Sequence, residues 1–509
     1  MIRFVLRQAC FRLLLVLIVL LSSVPVDARQ SSRRRKQAGR AARKLNVLFI
    51  SVDDLRPLGG AYGDSFVHTP HMDALARRGV VFNRAYAQQA VCSPSRTSLL
   101  TGRRPDTTRV YDLTTHFRQT IPGAVTLPQH FKQQVFHTQS FGKFYHNSEM
   151  DDAPSWSVPP LLPVPKNPDK ADADPSPSSR NPRTGRGPAW RSPDVADETL
   201  FDGRIAGKAI EVMRGVKEKP FFLAVGFTKP HLPFVAPKKY YRMYPMEKVK
   251  LPANLFPPKD VPRVALTDFG ELRAYADIPE EGALSERQAR ELIRGYYAAT
   301  SYVDAQIGRV LDELDRTGLR DNTIVVLWGD HGYQLGEHGL WNKHTNFEIA
   351  TRSPLIISAS GVTKAGKNTD ALVELVDVYP TLVELAGLPL PQGLEGISLV
   401  PLLHSPKMNW KRAAFSQYPR GGHVMGYSIR TERYRYTEWS EPGKVPVGVE
   451  LYDHERDAAE NVNIAHLPEH NTIVAELSRQ LKLGWRAALP SFASVPTAKP
   501  HQTRRAAGR

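Results

Sequence analysis

Cys92 is the residue whose surroundings most clearly predict chemistry. It begins residues 92–96, Cys-Ser-Pro-Ser-Arg, which lead into residues 97–102 with the pattern of a helix. Pro94 suits a first helical turn. Such a turn presents free N–H groups and partial positive charge, so the backbone and the Arg96 guanidinium can together hold an anion beside Cys92. The same position is expected to lower the pKa of the thiol.

Acidic and basic side chains follow three apolar runs of the chain. Short continuous apolar runs are typical of strands covered on both faces. The clusters are Asp53 and Asp54 after residues 46–51, Lys229 and His231 after residues 221–225, and Asp330 and His331 after residues 323–327. We therefore expect these polar groups at the carboxyl ends of buried strands.

The segments between these runs indicate an α/β fold. Apolar residues recur every three or four positions from 291 to 314, which predicts a long helix that ends by Gly318. Alternating strands and helices predict a sheet flanked by helices, and such sheets bind ligands just outside the carboxyl ends of their strands. From residue 424, alternating apolar and polar residues predict a small antiparallel sheet, followed by an amphipathic helix at 473–485.

The first residues have the pattern of a secretory signal peptide. Arg3, Arg7 and Arg12 precede the apolar residues 13–21, and Ala28 completes a small-residue cleavage site. An uncleaved membrane anchor is the alternative, but the apolar stretch is shorter than the roughly 20 residues that span a bilayer. We therefore predict export and no stable membrane insertion after signal cleavage.

The chain divides into five predicted segments. They are a signal peptide at 1–28, a basic linker at 29–44, a large domain at 45–415, a small C-terminal domain at 416–490, and a basic tail, expected to be disordered, at 491–509.

The net charge of +17 does not indicate a nucleic-acid-binding domain. Residues 1–44 hold eleven Arg or Lys and one acid, and residues 490–509 hold four Arg or Lys and no acid. Only +3 therefore remains for residues 45–489. The basic ends are typical of solvated tails, and we predict no nucleic-acid partner.

The cysteine count supports a chemical role for Cys92. Cys10 leaves with the signal peptide, so the exported protein keeps one cysteine and can form no internal disulfide. A buried, unreactive thiol is the alternative. No Asn begins an Asn-X-Ser/Thr triplet, which favours a bacterial periplasmic or extracellular protein over a eukaryotic lysosomal one.

A family resemblance joins these features. Residues 92–96 match the C-x-P-S-R signature of the type I, formylglycine-dependent sulfatases, and residues 46–485 resemble that family throughout. The further matching segments are 53–54, 101–102, 142–146, 229–231, 329–332 and Lys343. Within the family, the iduronate 2-sulfatase group is most similar, through residues 53–57, 102–109, 416–420 and 426–431. The resemblance implies an alkaline phosphatase-like large mixed sheet and makes residues 45–415 the catalytic domain.

The resemblance also implies a modified nucleophile and a metal site. Cys92 would be oxidised to formylglycine (3-oxoalanine) by a formylglycine-generating or equivalent enzyme. The implied metal ligands are Asp53, Asp54, Asp330, His331 and the modified Cys92. Carboxylate oxygens favour Ca²⁺ or Mg²⁺, and the family favours Ca²⁺. Many sulfatases have Asn at the position of His331, which leaves the metal open.

In the implied mechanism, one hydroxyl of the hydrated aldehyde attacks sulfur and the other later expels sulfate. Arg96, Lys143 and Lys343 would hold the diol and the sulfate oxygens. His231 would protonate the leaving oxygen and His146 would help deprotonate the diol, although these roles are exchangeable.

Four residues near Lys343 are candidates for lining a sugar pocket, with plain packing as the alternative. They are Trp341, His344, Tyr333 and His338.

The predicted substrate is a sulfated oligo- or polysaccharide. The resemblance to the iduronate 2-sulfatase group implies a 2-O-sulfated uronic acid in a glycosaminoglycan or an algal polysaccharide, although pocket loops decide such preferences. Phosphoester or phosphonate hydrolysis within the same superfamily is one alternative. A non-catalytic glycan-binding homologue is the other, but such a protein has no need of the signature at residues 92–96.

Overall fold

The structure, a computed structural model, describes residues 45–165 and 180–493, which contain sixteen strands. The strands, in chain order, are β1 Asn46–Val52, β2 Val80–Phe82, β3 Ala85–Tyr86, β4 His137–Gly142, β5 Trp190–Arg191, β6 Phe221–Phe227, β7 Phe234–Val235, β8 Thr323–Gly329, β9 Arg352–Ser353, β10 Leu355–Ser358, β11 Lys367–Thr369, β12 Val373–Glu374, β13 Ala414–Arg420, β14 Val424–Arg430, β15 Tyr434–Ser440 and β16 Gly448–Asp453.

The same residues contain thirteen α-helices. They are α1 Pro70–Arg78, α2 Cys92–Thr101, α3 Pro105–Thr108, α4 Phe117–Thr120, α5 Leu127–Gln133, α6 Phe201–Val216, α7 Lys238–Tyr241, α8 Gly270–Arg273, α9 Glu286–Arg316, α10 Glu348–Thr351, α11 Val378–Leu385, α12 Val400–His404 and α13 Asn471–Leu483.

Seven strands form the large sheet, in the order β11-β2-β10-β8-β1-β6-β4. The adjacent strands β8, β1, β6 and β4 are parallel, whereas β10 runs antiparallel to β8. The predicted mixed α/β sheet is therefore confirmed. Every residue of β1, β6 and β8 is buried, which explains their continuous apolar sequences.

The register of the sheet brings three strand ends to one level. Val52, the last residue of β1, pairs with Phe227 of β6 on one side and with Gly329 of β8 on the other. The residues that follow these strands therefore meet at one sheet edge. This confirms the expected position of the polar clusters.

Helices cover both faces of the sheet. On one face, Val47 and Phe49 of β1 share a core with Leu99 and Leu100 of α2. The other face packs against α1, α6 and α9. The long helix predicted at 291–314 is confirmed and runs over Glu286–Arg316, beginning with a capping box in which Ser285 and Gln288 bond reciprocally.

A separate four-stranded antiparallel sheet follows in the chain, in the order β13-β14-β15-β16. The predicted small sheet and its helix are confirmed, with α13 covering Asn471–Leu483. The sheet begins ten residues earlier than the predicted 424, because β13 is a strand despite Pro419. The division at residue 416 into two domains stays a prediction.

Parts of the sequence predictions fall outside the described ranges. The signal peptide, the basic linker and residues 494–509 of the predicted tail lie there. Among the described residues, no helix is both long enough and apolar enough to cross a membrane.

Candidate active site

Asp53, Asp54, Asp330 and His331 form a buried group at the carboxyl edge of the sheet, here called the inner cluster. Asp53 and Asp54 follow β1, and Asp330 and His331 follow β8. The backbone N–H of Asp54 donates to Asp330 Oδ1 at 3.1 Å, which ties the two strand ends together.

Arg96 holds the inner cluster from the first turns of α2. Its Nε donates to Asp330 Oδ2 and its Nη2 to Asp53 Oδ1, both at 2.9 Å. Its Nη1 donates to the carbonyl oxygen of Lys143 at 2.6 Å. The guanidinium is buried, and its N–H groups bond to both Asp53 and Asp330. Arg96 therefore fixes these two carboxylates in place.

Lys143 enters the site through a turn that requires glycine. Gly142, the last residue of β4, has a φ of +66°, and a Cβ there would lie 2.2 Å from the Gly226 carbonyl oxygen. This close approach directs the next residue towards β1, where Lys143 Nζ donates to Asp53 Oδ2 at 2.5 Å. Lys143 Nζ also lies 3.9 Å from Cys92 Sγ.

Cys92 is the first residue of α2, as predicted, and its thiol contacts the inner cluster. Sγ lies 3.5 Å from His331 Nε2 and 3.9 Å from Asp54 Oδ1. Burial raises the pKa of the Cys92 thiol well above its ordinary value, and Asp53 raises it further. The expectation that the helix terminus lowers this pKa is therefore wrong, since burial disfavours the charged thiolate.

The inner cluster has the donor set and spacing of a cation site. His331 Nδ1 lies 2.9 Å from the Gly332 carbonyl oxygen, which accepts its proton. A cation can therefore bind at His331 Nε2, which lies 3.4 Å from Asp54 Oδ1 and 3.6 Å from Asp330 Oδ2. Ligand atoms at right angles around a calcium ion lie about 3.4 Å apart. These residues therefore fit a divalent cation.

Buried cations keep the Asp53 carboxylate of the inner cluster ionised. Burial alone would raise the pKa of Asp53, but Lys143 and the other cations beside it hold that pKa well below its ordinary value. Three carboxylates face three cations, Arg96, Lys143 and Lys343. A bound divalent cation would therefore leave a net positive charge to attract an anionic substrate.

A cavity of about 380 Å³ opens onto Cys92 and Lys143. Its wall includes His146, His231, Glu271, Lys343 and His344, so most of the predicted site residues meet in one space. Arg96 and the inner cluster do not line this cavity. They support the residues that do.

Lys343, His231 and Glu271 form a connected group in this wall. Lys343 Nζ donates to Asp54 Oδ2 at 2.9 Å and to Glu271 Oε2 at 2.7 Å. His231 Nε2 lies 3.1 Å from Glu271 Oε1. Burial would lower the pKa of His231, but Asp54 and Glu271 raise it overall.

The remaining two cavity histidines are held neutral. Burial lowers the pKa of His146 well below its ordinary value, and Lys143 lowers it further. His146 Nδ1 is buried without a hydrogen-bond partner among the described residues. Burial, followed by Lys343, lowers the pKa of His344 to about 4. Its ring lies 5.8 Å from that of Tyr418, which brings β13 close to the cavity.

The structure places the other predicted pocket residues in the core. Trp341 and Tyr333 belong to one buried apolar cluster, and Tyr333 stacks on Tyr296. His338 Nε2 lies 2.8 Å from the Ala459 carbonyl oxygen. None of these three predicted residues lines the cavity described above, and a substrate contact by Trp341 stays a prediction.

Glu271 is the functional candidate that the sequence predictions missed. It lies in the four-residue helix α8, within a stretch that has no buried strand or long periodic pattern. Lys343 and His231 were predicted from their motifs, but a lone acid about 40 residues after His231 gave no signal. Only the tertiary fold brings it to them.

Comparison with known proteins gives consistent matches. Residues 45–388 match the family model described as Sulfatase, and residues 336–485 match the one described as N-sulphoglucosamine sulphohydrolase, C-terminal. The iduronate 2-sulfatase of Mus musculus is 37% identical over 485 residues, covering 79% of this chain and 86% of that protein.

Solved structures share the fold. One described as a 2-O GAG sulfatase has a TM-score of 0.68 and 25% identity, and covers 87% of this chain and 92% of its own. A phosphonate monoester hydrolase from Silicibacter pomeroyi has a TM-score of 0.72 and 24% identity, and covers 87% of this chain and 96% of its own. These likenesses agree with the predicted alkaline phosphatase-like architecture.

Proposed function

Since this chain belongs to the sulfatase family, we propose that it removes the 2-O-sulfate of a uronic acid in a sulfated oligo- or polysaccharide, with a nucleophile made from Cys92. The hydrolysis of sulfated sugars follows from the family and its relatives. The position of the sulfate and the identity of the sugar are the proposal.

The position of Cys92 supports the proposed nucleophile. Cys92 Sγ lies between the inner cluster and the cavity, 3.5 Å from His331 Nε2 and 3.9 Å from Lys143 Nζ. The thiol itself is a poor nucleophile there, because its raised pKa keeps it protonated. Formylglycine at this position would supply, when hydrated, a hydroxyl group beside the sulfate-binding cations.

The spacing of the ligand atoms in the inner cluster supports a metal site. Asp53, Asp54, Asp330, His331 and the modified Cys92 would hold the cation, which would supply positive charge to a sulfate oxygen. The observed separations of 3.4 to 3.9 Å fit calcium. Ligands at right angles around Mg²⁺ lie closer, about 2.9 Å apart.

Two of the three cavity histidines suit different proton transfers. Burial lowers the pKa of His231, but Asp54 and Glu271 raise it overall, so His231 is the better candidate for protonating the leaving oxygen. His146 is neutral and has a buried Nδ1 without a partner among the described residues, so it can accept a proton. Lys143 and Lys343 would hold the sulfate oxygens at the cavity wall.

The activities of two similar proteins support the proposed substrate. The Mus musculus relative is an iduronate 2-sulfatase, and one structural neighbour is a 2-O GAG sulfatase. The phosphonate monoester hydrolase supports only the fold at its 24% identity. We further propose export to the periplasm or the cell exterior, with modification of Cys92 by a formylglycine-generating enzyme or an equivalent.

A paired assay tests the substrate. The protein is co-expressed with a formylglycine-generating enzyme and offered disaccharides that carry sulfate at uronic acid O2 or at glucosamine O6. A phenyl phosphonate monoester is a third arm. We expect release of sulfate from the 2-O ester at least about tenfold faster in kcat/KM, a difference of about 1.4 kcal/mol. Preference for the 6-O ester or the phosphonate would overturn the proposed substrate.

A further inference from the structure

Glu271 contacts the two wall residues on which the reaction depends. Its carboxylate accepts from Lys343 at 2.7 Å and lies 3.1 Å from His231 Nε2. Building on the proposed function, we infer that Glu271 is a positioning residue: it fixes Lys343 for sulfate binding and His231 for protonation of the leaving oxygen.

The contacts of His231 hold its ring at two opposite edges. Nδ1 lies 2.6 Å from the Leu232 carbonyl oxygen, and Nε2 lies 3.1 Å from Glu271 Oε1. Both neighbours are acceptors, so the two N–H groups donate in fixed directions. The Leu232 contact alone would restrain the ring at one nitrogen only. Glu271 adds a restraint at the second nitrogen, and catalytic groups need their orientation held within about 10–20°.

The contacts of Lys343 show the same arrangement. An ammonium group has three N–H donors. Asp54 Oδ2 and Glu271 Oε2 take two of them, at 2.9 and 2.7 Å, which leaves one for a sulfate oxygen. Lys343 is 2% exposed, so its side chain is ordered before substrate arrives. Pre-ordered charge is what stabilises a transition state most effectively.

Glu271 itself is accessible from the cavity. Its side chain is 18% exposed, and both Gly270 and Ala274 beside it line the same space. The carboxylate therefore lies at the boundary between the buried cations and the substrate. A position deeper in the core would point to a purely structural ion pair.

Protonation of the leaving group is the step that Glu271 serves. The S–O bond to the sugar breaks, its electron pair passes to the sugar oxygen, and that oxygen takes the Nε2 proton of His231, which it shares with Glu271 Oε1 until the bond breaks. His231 is left neutral and regains a proton from water. A sugar alkoxide needs this proton because it is strongly basic, whereas a nitrophenolate is stable enough to leave without one.

The test compares these two leaving groups in one variant. For Glu271→Gln, kcat on the sugar sulfate should fall about 10²-fold, the size of a general-acid contribution, and the fall on 4-nitrophenyl sulfate should be at least about tenfold smaller. Glu271→Gln combined with His231→Gln should lose less activity than the product of the two single losses, because the His231 part of the Glu271 effect is already absent. Because each variant is measured on both esters, partial unfolding cannot mimic the difference.

Glu280→Gln is the matched control, since Glu280 lies on the same segment but is exposed and pairs with Arg183. It should leave both activities unchanged. Equal losses on both esters, or additive effects in the double variant, would overturn the positioning role. A lower KM with unchanged kcat would also overturn it, because Glu271 would then be competing with substrate. Wild-type protein inactive on both esters would instead overturn the proposed function, and this role with it.

Discussion

Two buried carboxylates, Asp53 in the inner cluster and Glu450 in β16, show opposite behaviour. Asp53 is fully buried and contacts Lys143 and Arg96, and these cations hold its pKa well below the ordinary value. Glu450 is 2% exposed and accepts from Trp439 Nε1 at 2.6 Å and from the Tyr452 hydroxyl at 2.9 Å. Burial raises the pKa of Glu450 to about 7.

The difference shows which groups offset the effect of burial on a carboxyl pKa. Neutral donors do not offset the loss of solvation at Glu450, whereas guanidinium and ammonium groups within 3 Å do so at Asp53. The Asp53 carboxylate is therefore anionic because the fold surrounds it with cations. Variants at Asp53 and at Glu450 test the two carboxylates separately.

Removal of the cation should have the largest effect. Without it, His331 Nε2, Asp54 and Asp330, which lie 3.4 and 3.6 Å apart, lose the ion that they are expected to share. We expect EGTA to abolish sulfatase activity and added calcium to restore it. The melting temperature should fall as well, since a ligand at 100 times its Kd stabilises the folded state by about 2.7 kcal/mol. Full activity after verified loss of all metal would contradict the metal site.

Asp53→Asn replaces the charged carboxylate of the inner cluster with a neutral group, so this position then lacks charge like the neutral carboxyl of Glu450. We expect kcat/KM to fall about 10³-fold, because the site loses an anionic ligand and Arg96 and Lys143 lose their partner. Bound calcium, measured by elemental analysis, should fall in parallel. Glu450→Gln makes the same type of change in the other region and should leave activity intact. An Asp53→Asn protein that keeps calcium and activity would contradict the claim that the charge of Asp53 is needed for either.

Lys343→Ala removes a cation from the cavity wall and leaves the inner cluster in place. The loss should be about 10²- to 10³-fold in kcat/KM, as for other single groups that stabilise developing charge. Lys444→Ala is the control, because Lys444 is 66% exposed and pairs only with Glu441 among the described residues. A loss no larger than that of the control would show that Lys343 does not contact the sulfate.

The smallest effect should concern stability at Glu450. Its pKa is about 7 in the folded state and near 4.5 when unfolded, so the folded state binds the extra proton between these values. The free energy of unfolding should therefore decrease as pH rises from about 4.5 to 7. Glu450→Gln should remove that part of the decrease. Identical pH dependence of the melting temperature in both proteins would show that Glu450 is ionised when folded.

The sequence predicted the inner cluster well because strands position it. Asp53, Asp54, Asp330 and His331 follow continuous apolar runs, and parallel strands that end at one level bring such residues together. His231 follows β6 in the same way, whereas Lys143 follows β4, whose sequence is not an apolar run, and was predicted only from the family resemblance. Local pattern was therefore enough to place the inner cluster but not Lys143.

The cavity wall was less predictable because irregular segments build it. Glu271 reaches Lys343 from a sequence distance of 72 residues, and no periodicity marks it. Trp341 and His338 are close to Lys343 in sequence, but Trp341 packs into the core and His338 Nε2 lies against the Ala459 carbonyl oxygen. Side-chain direction in such loops depends on tertiary packing, which composition and spacing do not report.

The most direct test of the central claim is the mass of the peptide that contains Cys92, taken from protein made in its native host or with a formylglycine-generating enzyme. Conversion to formylglycine should make the peptide about 18 Da lighter than the cysteine form, and an aldehyde reagent should label it. A reduced, unmodified Cys92 in protein that nevertheless hydrolyses sulfate esters would contradict the proposed nucleophile.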